Sequence, residues 1–108
     1  MLEGRQRLQI AATALGNGTP VDTGGAGKDH AFYIETTNAV VSAGGVTLET
    51  ARTATFTGVW QAITPEILPV QNAVLLVSYT GVLLAVRARV STAITGGAAV
   101  TVEYASNS

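Results

Sequence analysis

The residues with the most chemical potential fall between positions 22 and 30. Asp22-Thr23-Gly24 is the triplet of aspartic proteases, whose chemistry needs two aspartates sharing one proton. A single triplet in 108 residues would require a homodimer. Its lead-in, Gly18-Thr19-Pro20-Val21, is not the apolar strand that buries such an aspartate, so a glycine loop is the simpler reading. Gly24-Gly25-Ala26-Gly27-Lys28 has the look of a phosphate loop. The P-loop, however, requires Gly where Asp22 stands and Ser or Thr where Asp29 stands. His30 is the sole histidine and follows Asp29, and a His–carboxylate pair is half of many catalytic sets. A lone histidine cannot build a typical zinc site, and its plain reading is a strand-edge residue.

Two further groups could bind rather than react. Trp60, with Tyr33, Tyr79 and Tyr104, could form a sugar-stacking platform if exposed. In a chain rich in Ala and Val it serves more simply as a large core filler. Arg5, Arg7, Arg87 and Arg89 could gather on one face. With few aromatics among them they suit a polar outer face, or docking onto an acidic partner, better than nucleic acid. No residue set requires a cofactor or a metal.

The elements that must position these residues follow from composition. Ala, Thr, Val and Gly fill more than half the chain, and charged residues only 12%. Thr and Val favour strands. A net charge of −1 lacks the basic surplus of a general nucleic-acid binder. The absence of cysteine excludes a disulfide framework. The N-terminal residues make a poor signal peptide, and no apolar run is long enough for a membrane-spanning helix.

Short alternating segments succeed one another between glycine turns. Arg7–Ala11 would place Leu8 and Ile10 on one face. Ala31–Thr36 sets Phe32 and Ile34 against Tyr33 and Glu35. Val46–Thr50 sets Val46 and Leu48 against Thr47 and Glu49. Gly58–Ile63 carries Trp60, and Ala73–Tyr79 is mostly apolar. Leu83–Val90 turns Leu84, Val86, Ala88 and Val90 inward and Arg87 and Arg89 outward. Ala98–Tyr104 alternates Val100, Val102 and Tyr104 with Thr101 and Glu103. This spacing predicts an all-β antiparallel sandwich of about seven to eight strands, Ig-like or jelly-roll-like. Gly96-Gly97 would join the last two strands as a hairpin, with Arg87 or Arg89 facing Glu103.

The second half, GGVTLETARTATFTGVWQAI (Gly44–Ile63), then AVRARV (Ala85–Val90), then TGGAAVTVEY (Thr95–Tyr104), resembles small β-sandwich structural proteins of tailed phages. Those are head decoration, head-fibre or tail-associated proteins. The resemblance implies a non-enzymatic virion protein, assembled in the host cytoplasm. Its partners would be other copies of itself, in trimers or other rings, and other virion proteins.

Sparse charge points the same way, since a designed soluble surface would carry roughly 25–35% charged residues. Residues 1–28 are expected to form an N-terminal extended arm and glycine-rich loop, and 29–108 the sandwich. Leu2, Arg5, Arg7, Leu8 and Ile10 are the candidate assembly contacts on that arm. A carbohydrate-binding module, with Trp60 exposed on a flat face, and a dimeric protease using Asp22 are the alternative functions.

Overall fold

The alternation becomes two packed antiparallel sheets. The computed structural model describes residues 6–23 and 29–107, and these form nine strands and no helix. They are β1 (Gln6–Ala12), β2 (Gly16–Asn17), β3 (Val21–Asp22), β4 (Asp29–Thr36) and β5 (Ala43–Ala51). Then come β6 (Gln61–Ala62), β7 (Val74–Thr80), β8 (Ala85–Thr95) and β9 (Val100–Asn107). The first sheet runs β1-β9-β4-β7 and the second β2-β8-β5-β6. Strand β3 pairs with β8 at Ala85 and Val86, β2 with the same strand at Arg89 and Val90.

Successive side chains on a strand point to opposite faces, so each run of alternating residues splits between core and solvent. Phe32 and Ile34 of β4 and Val100, Val102 and Tyr104 of β9 are buried from the first sheet. Val46 and Leu48 of β5 and Val86, Ala88 and Val90 of β8 are buried from the second. Leu83, just before β8, is buried, whereas Leu84 is exposed, the reverse of the expected facing there.

The expected hairpin across Gly96-Gly97 does not form. β8 and β9 lie in different sheets, each paired with other strands. Both glycines have positive φ, 102° and 106°, a conformation that L side chains rarely adopt. A Cβ at Gly96 would stand 2.6 Å from the Val40 carbonyl oxygen. The backbone therefore turns a corner between sheets where an alanine could not follow.

The N-terminal segment also departs from expectation. Residues 6–12 are an edge strand paired with β9, and residues 16–17 and 21–22 line β8, so none of these is a free arm. Leu8 is buried in the core at 1% exposure, while Ile10 is exposed at 64%. They do not share a face, because the β1–β9 register shifts between Arg7 and Gln9 and again between Gln9 and Ala12. Each bulge adds an unpaired residue and re-aims the next side chain. The following turn crosses to the second sheet: the Gly18 and Thr19 amides donate to Ala88 O and Leu8 O. A Cβ at Gly18 would fall 1.8 Å from Leu8 O, so this closure needs glycine. Leu2, Arg5 and residues 24–28 lie outside the described residues.

Leu8 is thus a core residue and not an assembly contact. Leu8→Ala should lower stability in urea unfolding by about 2–5 kcal/mol. Ile10→Ala should change it by no more than about 0.5 kcal/mol. Equal small effects would contradict the bulged register.

Candidate functional site

Strand alternation separates the two residues of the possible His–Asp pair. His30 faces the core and is buried, not at an exposed strand edge, while Asp29 is exposed. The His30 Nε2–H donates to Gly81 O at 2.9 Å, since a carbonyl can only accept. Nδ1 is then the acceptor for the Tyr104 hydroxyl at 2.6 Å. The Tyr104 ring also packs against Phe32, with centroids 5.2 Å apart. Burial pushes the Tyr104 hydroxyl above its ordinary range. These groups form a satisfied, sealed plug at one end of the core. Asp29 instead accepts from the Thr80 hydroxyl at 3.4 Å.

Asp22 stands at the end of β3, and its Oδ1 accepts from the Ala54 amide at 2.9 Å. Beside it the Thr23 hydroxyl donates to Leu83 O and Leu84 O. The described part of the triplet therefore anchors the long β5–β6 connection to the start of β8.

The densest polar constellation is on the outer face of the second sheet. β5 presents Thr47 and Glu49 there, and both are buried. Glu49 takes Arg87 at 2.7 Å and Arg89 at 3.3 Å, the two arginines flanking inward-facing Ala88 on β8. The Arg87 guanidinium lies 4.4 Å from the centre of the Trp60 ring, a cation–π contact. The Trp60 Nε1–H donates to Phe56 O at 3.0 Å. Trp60 is 4% exposed. It is buried as expected, but beneath a loop on the outer face and not within the core cluster between the sheets. With one face taken by Arg87, it is not a stacking platform.

Further along the same face, Thr47 and Ser91 join through their hydroxyls at 2.8 Å. The Glu66 carboxylate accepts from Ser91 at 2.6 Å and Thr92 at 2.7 Å. These two hydrogen bonds hold the Glu66 carboxyl below its ordinary range. Ile67 exchanges backbone bonds with Val46, so the Glu66 contact pins a loop already laid along β5. Among the described residues no three His, Asp or Glu side chains gather as a metal site would need.

Of the remaining candidate assembly contacts, Arg7 is exposed and pairs with Glu103 at 3.3 Å on the first sheet. Arg87 and Arg89 do not face Glu103, because the corner at Gly96 places it on the other sheet. Arg7 and the Arg87–Arg89 pair thus sit on different sheets. Glu49 is the residue that sequence reading missed: its facing was legible from V-T-L-E-T, but its partners depended on β5 lying beside β8.

Exposed apolar side chains are the larger feature. Val74 and Leu76 of β7 stand out beside Tyr33 on the outer face of the first sheet. Val59, Leu68 and Val82 protrude elsewhere.

No protein-family model and no curated protein matches the sequence significantly. Among solved structures the fold is similar to that of the SPBc2 prophage-derived protein YomS. The TM-score is 0.59, at 14% identity, covering 94% of this chain and 88% of that one. The likeness is one of fold.

Breaking a buried ion pair strands its partner charge. Glu49→Ala should cost about 3–5 kcal/mol, against under about 1 kcal/mol for Arg7→Ala at its exposed pair. Urea titrations of both variants read the difference directly. The lowered Glu66 carboxyl contributes stability that is fully present above its ordinary value of 4.5. That contribution is lost as pH falls through the lowered value. The wild type's advantage over Glu66→Gln should therefore narrow on acidification. An advantage constant across the acid range would show that the carboxylate is not the pin.

Proposed function

We propose that the chain is a structural, non-enzymatic component of a tailed-phage particle, present in many copies on a head or tail lattice. The observation that carries this reading is the surface. Large apolar side chains, among them Val74 and Leu76 beside Tyr33 on one sheet face, stand in solvent on a chain with 12% charged residues. Contiguous exposed apolar surface marks sites of association. The conspicuous polar residues, by contrast, are engaged with one another. His30 is sealed, Asp22 holds a loop, and Glu49 is neutralised by two arginines.

The fold shared with a prophage-derived protein supports a phage setting. The partners in this reading are further copies of the chain and other virion proteins, and its place is the particle. The Trp60-centred platform of a carbohydrate-binding role lacks its central face, because Arg87 covers the buried indole ring.

Mass spectrometry of purified particles from a host carrying the gene tests this. The protein should remain with heads or tails through a density gradient at hundreds of copies per particle. Its confinement to the particle-free lysate would contradict the reading.

A further inference from the structure

Strand β7 is one edge of the first sheet, and β1 is the other. Proteins blunt exposed edges with bulges, charges or proline. β1 carries such devices: two register shifts, Ala11 at φ 47°, and Arg7 paired with Glu103. β7 carries none. It pairs with β4 without a shift from Val74 to Thr80, and contains neither a charged residue nor proline.

The hydrogen-bond phase of this edge can be fixed. In an antiparallel ladder a residue sends its N–H and C=O to one side, and the next residue sends them to the other. The Thr37 amide donates to Ala99 O, towards β9, and the Thr36 amide donates to Ala73 O, towards β7. Even-numbered residues of β4 therefore serve β7. The register pairs Ile34 with Leu75, Phe32 with Val77 and His30 with Tyr79. The N–H and C=O groups of Val74, Leu76, Ser78 and Thr80 are left facing outward.

We propose that β7 pairs antiparallel with β7 of a second copy about a two-fold axis, joining the two first sheets into one continuous sheet. A single symmetric register uses the whole strand. It sets Val74 opposite Thr80 and Leu76 opposite Ser78, with Val77 opposite itself on the axis. Every outward-facing residue then meets another outward-facing residue.

Charge permits this pairing. The strand has no charged side chain, and Asp29 and Glu35 on β4 would lie about 14 Å, three strand spacings, from their counterparts. That exceeds the screening length of about 8 Å at physiological salt. Pairing of β7 with β1 of a neighbour is opposed by the two bulges of β1. The contact is two-fold, unlike the trimer that the phage resemblance implies, and it rests on the particle-protein reading for its purpose.

The chain has no cysteine, so one introduced thiol reports the register. Val77→Cys would meet its counterpart across a non-hydrogen-bonded pair, with Cα atoms about 4.5 Å apart, within disulfide range. Two copies of Val74→Cys would stand about 20 Å apart along the ladder. Mild oxidation at micromolar concentration should give a disulfide dimer of Val77→Cys and leave Val74→Cys monomeric. No dimer from Val77→Cys, or equal cross-linking of both variants, would overturn the pairing.

Leu76→Pro removes an outward N–H and no ladder bond. In sedimentation velocity it should convert the wild-type dimer to monomer with its near-ultraviolet circular dichroism unchanged. Should that variant not fold, Leu76→Lys, at a side chain already 60% exposed, should do the same. A wild type that stays monomeric up to high concentration, or a Leu76→Lys variant that stays dimeric, would overturn the proposal. Particles that contain the protein while Val77→Cys forms no dimer would refute the strand pairing alone. A Val77→Cys dimer in a protein absent from particles would support the pairing and refute the particle reading.

Discussion

Between β8 and β9 the chain passes from one sheet to the other over Gly96 and Gly97, and the placement of its charges depends on that corner. Val40 O and Ser42 crowd the backbone at Gly96 so closely that a Cβ has no room. Had the strands formed a hairpin along the free edge of β8, Glu103 would lie beside Arg87 or Arg89 and away from Arg7. With the corner in place, Arg87 and Arg89 are left to Glu49, which β5 holds beside β8. β9 sits between β1 and β4, and Glu103 finds Arg7. The geometry of two glycines thus determines which arginine Glu103 meets.

The same economy extends over the molecule. Asp22 fixes the β5–β6 connection, Glu66 fixes the β6–β7 connection, and Glu49 with Arg87 seats Trp60 under its loop. Several of the few charges are thereby committed to holding loops against sheets, which leaves less charge to solvate the surface. Inner faces built from Val, Ala, Ile and Leu fill the space between the sheets. Apolar residues beyond that need appear outside, most regularly on β7. The low charge fraction and the exposed apolar strand are two aspects of one distribution.

Much of this was legible in the sequence, for a physical reason. Where a strand is long and one face is buried, the period of two is written in the residues. Phe32 and Ile34, Val46 and Leu48, and Val100, Val102 and Tyr104 all face as their spacing indicates. β2 and β3 were not legible, because two-residue strands owe their pairing to the edge of β8 and carry no periodicity. The bulges of β1 were hidden for a related reason: nothing in Leu8-Gln9-Ile10 marks the extra residues that turn Ile10 outward. Partition into sheets is a property of distant strands, so neither the His30 plug nor the Glu49 cluster could be assembled from local pattern. Arg87 and Arg89 were rightly placed outward, while their partner was assigned to the wrong strand.

Among the described residues the sandwich leaves one regular strand edge without bulge, charge or proline, and the proposed pairing with a second copy would cover it. Residue-resolved amide hydrogen exchange across a range of protein concentration tests that pairing most directly. At high dilution Leu75, Val77 and Tyr79 should be protected by β4, while Leu76, Ser78 and Thr80 exchange freely. As concentration rises, those three amides should become protected in step, with no change on β1. Exchange at Leu76 and Ser78 that is independent of concentration, or an inverted alternation along β7, would contradict the account.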